Sequence, residues 1–256
     1  RAATTQATRL LCCCLAALSP ALPVGADDPG PELSAGWLLF GDLYHVPSHH
    51  SAAGEDATGL VVRRAYLTFD ADFSERWFGR LRFEANQSGE FETYTFDADF
   101  KDLYVGRRLG RQKLLAGLAP TPTFDLIESV WGLRYLAKTA MDLQGLASRD
   151  TGLSLQGSLN ESGSLGYRAM YAAPLDFGSD GNDRERWMGA LSWRPAPQWT
   201  LDVYADYEEL DGPRDRSIVQ VFAGRQADGL RWVLQYAKQD RQQDPPLELA
   251  SGFFVA

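Results

Sequence analysis

Polar and apolar residues alternate over most of the chain from residue 34 onward, and this pattern constrains the fold more than any other feature. In residues 64–73 one face carries only Ala, Leu and Phe, while the other carries Arg, Tyr, Thr and Asp. Residues 77–86 repeat the pattern, with Arg80, Arg82 and Glu84 on the polar face. Successive side chains of a β-strand point to opposite faces, so a period of two predicts strands with one apolar and one ionic face. We count about twelve such strands, with a bulge expected near Lys101.

The connections between the predicted strands alternate between short and long without exception. Short turns are predicted at 74–76, 107–112, 160–163, 195–197 and 226–229. Longer loops are predicted at 45–60, 87–93, 120–150, 174–183, 209–216 and 240–246. Short turns at one end and long loops at the other are typical of outer-membrane β-barrels, whose closed hydrogen bonding lets strands span lipid.

Aromatic residues on the apolar faces gather at the strand ends. Those beside short turns are Trp77, Trp193, Trp199 and Trp232, and those beside long loops are Tyr171, Trp187, Tyr207 and Tyr236. Two such belts are typical of the two membrane interfaces, whereas a soluble β-sandwich or closed core does not require them. A cation on the lipid side costs about 2–4 kcal/mol at the bilayer midplane, so the charged faces should line a water-filled lumen.

The N-terminal segment, residues 1–26, resembles a cleaved secretory signal peptide. Arg1 and Arg9 precede an apolar run, and small residues precede Asp27. All three cysteines lie in this segment, so the exported domain, residues 27–256, has no disulfide or thiolate metal site. The formal net charge of −9 disfavours a nucleic-acid partner. Because the chain starts at Arg1 and stops within an apolar run, we expect a barrel domain truncated at its C-terminus.

One long connection, residues 120–149, is too apolar for an exposed loop. Val130, Leu133, Leu136 and Ala137 recur at helical spacing, while Arg134 and Lys138 are four residues apart on the other face of the predicted helix. We predict that this third long loop folds into the pore and narrows it.

The chain resembles the phosphate-selective porins O and P. The resemblance rests on Lys-Asp-Leu-Tyr-Val at 101–105, Gly117 with the prolines after it, the third loop, and Ser-Arg-Asp-Thr-Gly at 148–152. It implies a sixteen-stranded, homotrimeric barrel with an inward third loop and basic residues that guide anions, and about four further strands beyond this sequence.

Carried over to this sequence, the resemblance implies that Arg134, Lys138 and Arg149 lie at the constriction. Arginines on the predicted inner faces are further candidates for contacting anions: Arg64, Arg80, Arg82, Arg168 and Arg186. The guanidinium group suits phosphate because it offers a fixed fork of donors. The alternative is that these cations pair with lumen carboxylates, whose excess weighs against strong phosphate selectivity.

The sequence therefore predicts an all-β transmembrane antiparallel barrel in the outer membrane of a Gram-negative bacterium. Its predicted function is passive diffusion of small solutes, favouring anions such as phosphate or polyphosphate, without a cofactor. One alternative is a barrel enzyme of the lipase or protease kind, for which the first long loop offers His45, His49, His50 and Ser51. Another is a structural or adhesive barrel without conductance.

Overall fold

A computed structural model describes the chain from residue 30 onward, with gaps. The described residues are 30–48, 55–87, 96–134, 138–173, 185–209, 215–227, 229–241 and 244–255. The predicted signal peptide, residues 1–26, lies outside them and stays a prediction, as does the boundary of the domain that follows.

Twelve strands form one sheet, which confirms the predicted number. They are β1 (Glu32–Val46), β2 (Ala57–Asp72), β3 (Trp77–Gln87), β4 (Phe96–Leu109), β5 (Gln112–Pro120), β6 (Arg149–Ser158), β7 (Leu165–Ala172), β8 (Glu185–Trp193), β9 (Trp199–Glu209), β10 (Arg216–Ala227), β11 (Leu230–Arg241) and β12 (Asp244–Val255). Each strand pairs with the next in antiparallel order. In the described part of the chain, β1 and β12 stand at the two ends of this order.

The charged and apolar faces are oriented as predicted. Large apolar side chains are exposed on the outer face, for example Leu191 at 50% and Leu234 at 57%. Carboxylates of the inner face are buried, with Asp102 at 0% and Asp202 at 2% exposure. An outer surface this apolar suits contact with lipid rather than water. Aromatic residues of the predicted belts also contact one another, with ring centroids 4.4 Å apart for Tyr171 and Trp187.

The bulge expected near Lys101 is present. Arg82 pairs with Asp102 and Phe83 pairs with Phe100, so Lys101 is an extra residue in β4. A bulge lets two consecutive side chains approach the same face. Lys101 and Asp102 both make ion pairs on the inner face as a result.

The prediction of a long loop at residues 240–246 is wrong. Strands β11 and β12 extend further than the alternation indicated, and only residues 242–243 connect them. The register shifts between Gln239 and Arg241, opposite the stretch that holds Pro245 and Pro246. Prolines lack an N–H donor, so an irregular part of an end strand accommodates them where a regular ladder would not.

The described part of the third long loop contains two helices, α1 (Phe124–Trp131) and α2 (Ala140–Leu143). A helix running from Val130 through Lys138 was predicted, and this is wrong. Gly132 adopts a left-handed conformation with φ 63°, and its N–H donates to the carbonyl of Glu128, which ends α1. Leu136 and Ala137 lie outside the described residues. Within the described ranges, no helix has the length and apolarity needed to cross a membrane.

The loop folds inward and packs on the inner face of the sheet, as predicted. Phe124 and Met141 are buried in a cluster that includes Met170, Met188 and Ile218. Further along α1, a second cluster joins three loop residues to β10 and β11: Ile127, Val130 and Trp131 with Phe222 and Val233. Phe222 lies on the inner face in phase with Ile218 and Gln220, and it is an apolar residue on that face where it contacts the loop.

Candidate channel constriction

Polar side chains of β9, β10 and β11 anchor the start of α1. The hydroxyl of Thr123 donates to Asp202 Oδ2 at 3.2 Å and accepts from Gln220 Nε2 at 2.8 Å. Gln235 Nε2 in turn donates to Gln220 Oε1 at 2.8 Å. All four side chains are buried, and the two hydrogen bonds of Thr123 hold the start of the loop against this wall.

The C-terminal end of α1 is held by the same side of the sheet. Gln226 Nε2 donates to the carbonyl of Val130 at 2.5 Å, and Arg231 Nη1 donates to the carbonyl of Trp131 at 3.0 Å. These carbonyls are among those that an α-helix leaves without an internal partner. The cation also complements the negative end of the helix dipole. The loop is therefore fixed at both ends of α1.

A cavity of about 650 Å³ remains between the loop and strands β1 to β4. Charged side chains on its lining are Asp70, Arg80, Arg82, Lys101, Asp125, Glu128, Arg134 and Arg149. Four of the eight predicted site residues are thus brought together: Arg80, Arg82, Arg134 and Arg149. This cavity is the candidate constriction.

Glu84 is shared by two cations of the wall. Its Oε1 lies 2.7 Å from Arg64 Nε, and its Oε2 lies 2.9 Å from Lys101 Nζ. Arg64 also donates to the hydroxyl of Tyr66 at 3.0 Å. Lys101 was missed as a site residue, although the predicted bulge at this position was the signal that could have identified it.

Asp102 is likewise shared by two cations. Its Oδ1 lies 2.5 Å from Arg149 Nε, and its Oδ2 lies 3.2 Å from Arg82 Nη1. Arg82 also donates to Thr68 Oγ1 at 2.8 Å. Arg149 reaches the loop as well, with Nη1 3.1 Å from Asp125 Oδ1 and 2.8 Å from the carbonyl of Ser148.

The loop side of the cavity carries its own ion-pair network. Arg134 lies 3.1 Å from Glu128 and 2.6 Å from Asp142, and Lys138 lies 3.8 Å from the same Asp142. Burial is the main cause that raises the pKa of Glu128 above its usual value, and Asp142 adds to this while Arg134 opposes it. The predicted basic residues of the loop are therefore paired with carboxylates of the loop.

Three further predicted site residues also pair with carboxylates: Arg80, Arg168 and Arg186. Arg80 pairs with Asp70 through two hydrogen bonds of 2.6 and 3.1 Å. Arg168 and Arg186 lie on the opposite wall, where Arg168 pairs with Asp202 and Arg186 pairs with Asp206. The structure does not bring these last two to the cavity.

The histidines proposed for an enzyme are only partly described. His45 lies in β1, where its Nδ1 is 3.0 Å from Thr58 Oγ1. His49, His50 and Ser51 lie outside the described residues. In the part of the chain that the structure covers, no His, Cys, Asp and Glu residues form a group of three or more that could hold a metal ion.

Solved structures with a similar fold are known. An anion-selective porin from Comamonas acidovorans matches with a TM-score of 0.56 and 16% identity, over 88% of this chain and 73% of that chain. The chain has a porin fold. OmpT, an outer-membrane expressed protein of Vibrio cholerae, matches with a TM-score of 0.54 and 12% identity, over 87% and 69% of the two chains. No protein-family model and no curated protein matches the sequence.

Proposed function

We propose that the chain forms an outer-membrane diffusion channel for small anions. The porin fold, the apolar outer face and the charged inner face support a water-filled pore through lipid. The loop supports selection, because it narrows the lumen to a cavity whose lining includes eight charged side chains. We do not assign a catalytic role to the chain.

The observation that carries the anion preference is the sharing of two carboxylates among four cations. Glu84 serves Arg64 and Lys101, while Asp102 serves Arg82 and Arg149. Counted by themselves, these six groups carry two more positive than negative charges. Since the surrounding protein has a low dielectric constant, such an excess attracts anions more strongly than it would in water.

The loop faces this wall with the opposite balance. Asp125, Glu128 and Asp142 outnumber Arg134 and Lys138 by three to two. A field then runs across the cavity, from the basic wall to the more acidic loop. An anion entering the cavity follows the wall, where it replaces part of a shared carboxylate's contact with Arg82 or Lys101 and moves on without being held.

Inorganic phosphate and polyphosphate belong to the proposed solute class. The fork of donors on Arg82 and Arg149 fits phosphate oxygens, although Arg82 already pairs with Asp102, and Arg149 with both Asp102 and Asp125. Weak and divided contacts favour passage over tight binding. We also propose that the channel is a homotrimer, as the family resemblance implies.

Reconstitution in a planar lipid bilayer tests this function. We expect stepwise conductance and, across a KCl gradient, a reversal potential of the sign that indicates chloride preference. Absence of channels would contradict the porin and favour the structural or adhesive barrel. A reversal potential of the opposite sign, which indicates potassium preference, would support a channel but contradict its preference for anions.

A further inference from the structure

The candidate constriction has an apolar side as well as a charged one. Strand β1 contributes Gly36, Leu38 and Phe40 to the cavity lining, next to Tyr66 of β2. Leu38 pairs directly with Tyr66 in the β1–β2 register, and half of its surface is exposed. A large apolar side chain in contact with lumen water is unfavourable unless something apolar covers it.

Tyr66 lies where the apolar and cationic sides meet. Its ring centroid is 5.8 Å from the guanidinium carbon of Arg64 and 5.6 Å from that of Arg82. On the apolar side, the ring packs edge to face with Phe40 at 6.4 Å. A single aromatic ring thus has cations on one side and apolar groups on the other.

The apolar side ends at Phe40. Phe40 pairs with Arg64 and Gly41 with Val62, so Arg63 is an extra residue in β2 and the alternation of that strand changes phase there. Leu43 and Leu60, which pair with each other and are exposed, therefore lie on the outer face. The apolar part of the inner surface of β1 and β2 consists of Leu38 and Phe40.

We propose that this channel prefers amphiphilic organic anions, in which a carboxylate or phosphate group is attached to a small apolar or aromatic body. This inference rests on the proposed function and specifies its solutes. The anionic group contacts Arg82 and Lys101, while the apolar body covers Leu38 and the face of Tyr66. A cavity of about 650 Å³ has room for such a solute, whereas an inorganic ion would leave Leu38 uncovered.

Block of the chloride current by benzoate and by acetate tests the proposal, because the two probes share the carboxylate and differ in the ring. Covering Leu38 and Tyr66 with one ring face should lower the half-blocking concentration of benzoate about tenfold relative to acetate. Leu38→Ser should reduce this ratio to about threefold or less and leave the chloride reversal potential unchanged. Leu159→Ser, in an exposed turn, is the matched control and should keep the wild-type ratio.

Equal half-blocking concentrations in an anion-selective wild-type channel would overturn the inference and leave the proposed function intact. A ratio that Leu38→Ser does not change would overturn it too. Benzoate binding to the purified protein, measured by saturation-transfer NMR, separates the two proposals. If the benzoate ring signals saturate with wild type and weaken with Leu38→Ser, the result would support the binding site even if the protein did not conduct. If they saturate with neither protein, the result would contradict the binding site.

Discussion

Arg149 and Asp102 form an ion pair of 2.5 Å between the end of the third loop and the middle of β4. Asp102 is fully buried and also forms an ion pair with Arg82, so it is the point where the loop and the basic wall meet. The carboxylate both holds the two arginines together and lowers the positive charge of the wall. Stability and selectivity therefore depend on the same group in opposite directions.

Asp102→Asn keeps the shape of this side chain and removes its charge. We expect chloride preference to rise, by a factor of about 2 to 3 in about 0.1 M salt, because the wall gains one net positive charge. We also expect a loss of about 3–5 kcal/mol in stability, since the buried Arg149 and the partly buried Arg82 lose their shared partner. Reversal potentials and thermal unfolding followed by circular dichroism measure the two effects.

Asp72→Asn is the control, because Asp72 pairs with Arg108 at a partly exposed position. Its effect on stability should stay below about 1 kcal/mol. Unfolding temperatures that fall equally in both variants would argue that Asp102 has no special role.

Thr123→Val tests the anchor at the start of α1. Valine has the same shape but removes one hydrogen bond each from Gln220 and Asp202, which keep their contacts with Gln235 and Arg168, at a cost of about 1–3 kcal/mol. We expect faster hydrogen exchange of the amides in α1, with little change in the strands that do not contact the loop. Thr58→Val, at an exposed position in β2, should leave exchange in α1 unchanged. Unaltered exchange in α1 of Thr123→Val would mean that apolar packing alone holds the loop.

Gly132→Ala tests the other end of α1. The added methyl group would overlap the guanidinium of Arg231 and would also strain a backbone with φ 63°. We expect Arg231 to lose its contact with the carbonyl of Trp131, which should increase current fluctuations and proteolysis of the loop. Gly145→Ala is a matched control, because its φ is 68° but nothing lies within 4 Å of the added atom. Equal effects of the two substitutions would mean that backbone strain alone, and not the loss of the Arg231 contact, causes the change.

Chloride preference should depend on pH through Glu128. Because its pKa lies above the ordinary glutamate value of 4.5, protonation removes a negative charge from the loop at a pH above that value. Chloride preference should therefore rise as the pH falls through this window. The charged groups around Glu128 are Arg134, Asp142, Arg149 and Asp125.

The same shift sets the sign for stability. The folded protein binds a proton at Glu128 more readily than the unfolded chain does, so this group's contribution to stability falls as the pH rises through the window. Glu128→Gln should remove this part of the pH dependence of both the reversal potential and the unfolding temperature. A pH profile identical to wild type would assign the titration to another group.

The strands, their orientation and the inward loop follow from local patterns in the sequence. The period of two shows which residues share a face, and the position of the charged face in lipid leaves only one orientation. The bulge at Lys101 was predictable because the apolar phase changes there. The connection between β11 and β12 was not predictable, because consecutive prolines such as Pro245 and Pro246 are typical of loops, yet both lie in β12.

The site was less predictable, because it consists of contacts between residues far apart in the chain. Arg149 and Asp102 are 47 residues apart, and nothing in either segment alone indicates that they meet. Arg134 and Lys138 were placed on one helix because their spacing suits a turn of helix. Gly132 ends the helix before them, and a single glycine inside an apolar helical pattern is a weak signal.

The most direct test of the shared-carboxylate wall compares Lys101→Gln with Arg111→Gln in planar bilayers. Both substitutions remove one positive charge, but Lys101 lines the cavity whereas Arg111 lies in an exposed turn beside Glu161. We predict that the chloride-to-potassium permeability ratio falls by a factor of about 2 to 3 in Lys101→Gln and stays at the wild-type value in Arg111→Gln. Equal ratios in wild type and Lys101→Gln would contradict the account, because selectivity would then not depend on the wall.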